Sequence, residues 1–242
     1  LCNSLKRLDR ATANHDKPWL HRGYRLNEAG LTGFFRDDGL SDLVGFTYAA
    51  WHADDAVANL IHHLDNIATA TDGLNDRVVS IILDGENAWE YYPENGYHFL
   101  DALYRELSHH PRLRLTTFSE QIDRAAARES LTELVAGSWV YGTFATWIGE
   151  TDKNRGWEML IDAKRAFDSV VAEGRLQGAA LETAQRQLAI CEGSDWFWWF
   201  GDYNPGESVA DFESLFRHQL TALYRILDLP VPDYLEQVFT HG

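Results

Sequence analysis

Cysteine, methionine and proline are scarce in this chain: two, one and six in 242 residues. Cys2 and Cys191 lie far apart, which excludes a disulfide framework and a cysteine metal cluster. No run approaches the ~20 consecutive apolar residues that cross a bilayer. Repeats, low-complexity tracts and long linkers are missing too. The chain opens Leu1-Cys2-Asn3-Ser4, with no Met, no basic segment and no apolar segment behind it. No secretory signal is read there, Leu1 is not expected to be the natural start, and a cytoplasmic setting is expected. Positive charge is short: 21 Lys and Arg face 37 Asp and Glu, for a net charge of -16. Such a surface repels phosphate backbones and anionic membranes, so neither nucleic acid nor a membrane is an expected partner. A neutral polymer is not repelled.

Aromatic residues, by contrast, are plentiful, with nine Trp, ten Tyr and twelve Phe. A core can absorb that area, and most of it is expected there. Sugar sites use it as well, because the C–H face of a pyranose packs on an aromatic ring.

The first half reads as mixed α/β. Residues 31–36 read as a strand ending in Asp37-Asp38-Gly39. Ala56, Val57, Leu60, Ile61, Leu64 and Ile67 give residues 53–70 a helical stripe. Residues 78–83 (Val-Val-Ser-Ile-Ile-Leu) are β-branched and apolar, the pattern of a buried parallel strand. A helix over 96–108 ending before Pro111, a strand over 113–117 and a helix over 120–127 follow. Strand–helix alternation implies a parallel sheet or barrel. Beyond about residue 130 the pattern changes to a Gly- and Trp-rich stretch over 131–150, then helices over 154–173, 176–191 and 208–228. The fold class is therefore α/β followed by α, with a boundary near 128: residues 1–128 form one part and 129–242 a mainly helical one.

The segment Asp84-Gly85-Glu86-Asn87-Ala88-Trp89-Glu90-Tyr91-Tyr92 carries the clearest chemistry. An apolar strand runs straight into two carboxylates. In parallel α/β barrels the reactive groups stand at the C-terminal ends of strands. Asp84 and Glu86 would share a face of extended backbone, and paired like charges raise the proton affinity of one of them. Asp84 is the candidate general acid, with Glu86 and Trp89 as substrate contacts. An alternative stands beside it: Asp84 caps a helix and Trp89 belongs to the core.

The 84–90 segment resembles the fourth conserved region of glycoside hydrolase family 57, whose Asp is the acid/base. Two more stretches are similar to that family: Phe35-Arg36-Asp37-Asp38-Gly39-Leu40-Ser41-Asp42-Leu43-Val44-Gly45-Phe46, and Cys191-Glu192-Gly193-Ser194-Asp195-Trp196-Phe197-Trp198-Trp199. The Gly142–Gly149 stretch resembles a loop of its amylase-like members. The resemblance implies the C-terminal part of an incomplete (β/α)7 barrel followed by a helical domain that completes the active site. It also implies a retaining hydrolase or transglycosylase acting on α-1,4 and α-1,6 glucans such as maltooligosaccharides. Arg36, Asp37, Trp139, Trp147, Asp195 and Trp196 become candidate substrate contacts. A retaining mechanism needs a second carboxylate. The family's nucleophilic Glu is expected upstream of Leu1, so this chain alone is expected to be inactive.

Two rival readings remain. One is a non-catalytic α-glucan-binding module built on the Trp-rich loops. The other is a metal-dependent deacetylase-like barrel. His62 and His63 are adjacent and point to different helix faces, which makes a poor chelating pair. No metal or cofactor is expected.

Overall fold

The computed structural model describes residues 19–26, 30–74, 76–85, 88–124, 128–131 and 134–241. The chain divides into two compact units, Leu1–Val135 and Ala136–Gly242. Among the described residues no helix is long and apolar enough to cross a membrane.

In the first unit, β1 (Tyr24–Leu26) is the middle strand of a three-stranded sheet. β2 (Leu31–Gly33) pairs with it antiparallel and β3 (Glu129–Leu131) pairs parallel. The unit therefore extends past residue 128, because β3 is hydrogen-bonded into its sheet. α1 (Asp38–Asp42) begins where Asp37 accepts the Leu40 amide at 3.0 Å, an N-cap satisfied by its own side chain. α2 (Ala53–Ala70) buries the stripe read from sequence, Ala56, Val57, Leu60, Ile61 and Leu64, and opens with Asp54 and Asp55 against its positive end. α3 (Tyr97–His109) ends at His110, whose extended backbone (ψ 130°) is what the residue before a proline prefers. α4 (Phe118–Arg124) follows. Leu40, Val44, Tyr48, Tyr92 and Phe99 join the α2 stripe in one core.

The expected strands are shorter than the sequence implies. Residues 31–36 keep only β2. Residues 78–83 form no continuous ladder: the neighbourhood is held by two isolated bridges, Arg22 with Arg77 and Arg36 with Ser80, and by the Val78 amide donating to His21 O at 2.9 Å. Residues 113–117 carry no assigned strand either, although Leu113 packs against the core.

The second unit is helical: α5 (Thr151–Ala172), α6 (Gly178–Cys191), α7 (Asp195–Trp199) and α8 (Gly206–Ile226). Met159, Leu160, Ala163 and Phe167 of α5 meet Ala184 and Leu188 of α6 and Phe216, Leu220 and Leu223 of α8. Phe197 of α7 stacks on Trp157 at 3.8 Å.

Candidate active site

Asp84 lies at the end of residues 78–83, and the period-two alternation of extended backbone decides which way it faces. Val79, Ile81 and Leu83 pack against the core of the first unit. Ile82 and Asp84 fall on the other face and are exposed. The carboxyl group expected to act as acid/base thus stands at the solvent side of a wall whose other side is apolar.

Residues 36–42 line that wall. The Asp37 amide donates to Ser80 O at 3.0 Å. The Ile82 amide donates to Ser41 Oγ at 3.1 Å, and Ile82 O accepts from Arg36 Nε at 3.0 Å. The rest of the Arg36 guanidinium donates to Asp38 at 2.9 Å and Asp42 at 2.6 Å. Burial works against the Arg36 charge, but its hydrogen bonds to Asp42 and Asp38 outweigh it and hold its pKa above the ordinary value.

Beneath this lies a buried histidine–carboxylate contact that sequence reading missed. His21 Nε2 meets Asp37 Oδ2 at 2.8 Å, and both side chains are almost wholly buried. His21 Nδ1 is buried without a hydrogen-bond partner. Placing the proton on Nε2 leaves Nδ1 a bare lone pair rather than an orphaned N–H, so the geometry favours that tautomer. No motif marks His21, and only its distance from Asp37 in the fold reveals it.

Several expectations are corrected here. Asp37 is 1% exposed and already binds His21 and the Leu40 amide, so it is not a sugar contact. Arg36 turns donors to Ile82, Asp38 and Asp42. Trp89 is packed edge-on against Tyr92 at 5.4 Å and joins the core with Phe99, so the core alternative describes it better than a sugar platform does. Glu86 lies outside the described residues.

In the second unit, Trp139 is exposed (56%), with Tyr141 and Phe144 exposed on the same loop. Trp147 is half-buried, its ring 6.2 Å from that of Trp198 and its carbonyl accepting from Trp157 Nε1. Asp195 is exposed in the first turn of α7. Trp196 is turned inward: its Nε1 donates to Ile190 O at 2.9 Å and its ring packs on Phe216 at 5.8 Å. It is half-buried and braces α7 against α8.

The loop that presents Trp139 is anchored by a second residue missed from sequence. Lys153 is fully buried, and its Nζ donates to Thr146 O (2.6 Å), Phe197 O (3.0 Å) and Tyr203 Oη (2.8 Å). A signal existed: Lys153 occupies the same helical stripe as Gly156, Leu160, Ala163 and Phe167, where a charged residue is out of pattern. Among the described residues no group of three or more His, Cys, Asp or Glu side chains could hold a metal ion.

Comparison with known proteins agrees with the motifs. The solved structure of a GH57 branching enzyme from the hyperthermophilic archaeon Thermococcus kodakaraensis, in complex with glucose, is similar in fold, with a TM-score of 0.68 at 14% identity. The match covers 86% of this chain and 46% of that one, so the chain spans less than half the length of that enzyme. The sequence model of glycosyl hydrolase family 57 matches residues 8–133, more than half of the 242, and that stretch includes Asp84 and the Arg36–Asp42 segment. On that match, the chain belongs to glycosyl hydrolase family 57.

Proposed function

We propose that this chain is part of a retaining glycoside hydrolase or transglycosylase acting on α-1,4 and α-1,6 glucans, with Asp84 as the general acid/base. The observation that supports this most directly is the placement of Asp84: an exposed carboxyl at the end of a wall segment, two residues after Ile82, whose backbone polar atoms are both held, inside the family match. In this role Asp84 protonates the departing glycosidic oxygen and then takes a proton from the incoming hydroxyl. Retention requires a second carboxylate ~5–5.5 Å away as nucleophile. The branching enzyme among the similar structures supports keeping an acceptor sugar beside water as the incoming group. The barrel implied by the motifs belongs to this reading.

The exposed loop of Trp139 carries the second reading, a glucan-binding surface on the helical unit, where stacking on the indole needs no catalytic carboxylate. Asp195 and the half-buried Trp147 belong to the same proposed surface.

Product analysis of maltooligosaccharides tests the proposal, using the longest natural form of the protein, wild type and Asp84→Asn. The expected outcome is cleavage or rearrangement by the wild type and a loss of roughly 10²–10⁴-fold in the variant, the usual worth of a positioned acid/base. Equal activity in the two proteins sinks the assignment. Binding without turnover in both favours the non-catalytic module.

A further inference from the structure

Ser41 is fully buried in α1, yet its hydroxyl is spent on the amide of Ile82, a residue whose own side chain is exposed. Arg36 does the same from the other side, donating Nε to the Ile82 carbonyl. Both polar backbone atoms of one residue are thus held by side chains from one short segment, two residues before Asp84. The segment itself is fixed: Asp37 caps α1 and is gripped by His21, and Asp38 and Asp42 hold the guanidinium. Leu83 is packed on the core. Beyond Asp84 stands Gly85, which carries no side chain to anchor the chain. The backbone that leads into Asp84 is therefore held on its N-terminal side by Ser41 and Arg36.

We propose that Ser41 and Arg36 are positioning residues for Asp84, a clamp on Ile82 that aims the carboxyl at the glycosidic oxygen. The inference rests on the acid/base reading of Asp84. A clamp of this kind acts on geometry: an error of about 1 Å at a proton donor costs up to ~10²-fold in rate while leaving ground-state binding alone.

The test is steady-state kinetics on maltooligosaccharides with Ser41→Ala, Arg36→Lys, Asp84→Asn and the Ser41→Ala/Asp84→Asn pair, again in the longest natural form. Ser41→Ala is expected to lower kcat on the order of tenfold with KM changed less than about twofold. Arg36→Lys, which keeps the charge and loses the fork, is expected to follow it. Added to Asp84→Asn, Ser41→Ala is expected to cost nothing more. An unchanged kcat in Ser41→Ala, a loss confined to KM, or losses that multiply in the pair would each overturn the clamp. Asp84→Asn alone reports on the acid/base reading separately, since full activity there removes that reading whatever Ser41 does. If no glucan is turned over, the carboxyl ¹³C signal of Asp84 in the 242-residue chain decides: a titration midpoint displaced by Ser41→Ala supports the clamp, and coincident curves overturn it.

Discussion

Lys153 shows how much one side chain can organise. Its Nζ ties Thr146 in the aromatic loop, Phe197 in α7 and Tyr203 beyond it to the first turn of α5. Lys153→Met keeps the stem volume and removes the donor to the buried Phe197 carbonyl, while the Thr146 carbonyl still has Tyr203 Oη at 3.3 Å. Such an orphan costs about 1–3 kcal/mol. We expect Lys153→Met to lower the stability of the helical unit by about 2 kcal/mol, read as a shifted denaturant midpoint at unchanged slope. The residue scale is also where sequence reading was weakest. Asp84 stands out in the sequence because a carboxylate after an apolar run is locally anomalous. His21 was not, because its partner Asp37 lies sixteen positions away and nothing local distinguishes it. Trp89 and Trp196 were placed on a sugar because an aromatic residue beside a carboxylate looks the same in sequence whether its ring faces solvent or core.

Among the elements, the helices were legible and the strands only in part. The stripe of α2 fixes its face from within its own eighteen residues, so it needs no partner to be read. A strand is completed only by its neighbours. The apolar run of 78–83 reads as a strand buried on both faces, but Ile82 is exposed and the flanking segments at 21–22 and 36–37 supply single bridges rather than ladders. One element start depends on a single glycine. Gly96 precedes α3 with φ +82°, and a Cβ there would lie 2.9 Å from Trp89 Cε3. Glu94 and Asn95 also hold positive φ in the turn before it. Gly96→Ala therefore meets both backbone strain and a clash with a packed ring. A loss of about 2 kcal/mol or more in the stability of the first unit is expected in urea unfolding.

The whole molecule carries buried acids in both units, and they make alkaline pH a common stress. Burial pushes Tyr92 up to about 12 in the first unit, helped by Tyr48. Burial likewise pushes the Cys191 thiol up to about 12 in the second, against a lowering contact from Gln187. In the unfolded chain these groups release protons from their ordinary values, near 9 and 10. Between there and 12 the unfolded state binds fewer protons than the native state, so stability falls as pH rises. Unfolding followed at pH 8 and pH 11 is expected to show loss in both units. Native Cys191 is expected to resist alkylation at pH 8, because its thiolate is nearly absent.

The division after Val135 has a consequence for descent as well as for stability. Each side of it encloses its own set of buried apolar residues, one around α2 and α3 and the other around α5, α6 and α8. A genetic crossover at that codon leaves both sets whole. The half that holds Asp84 and the half that displays Trp139 can then be inherited from different parents.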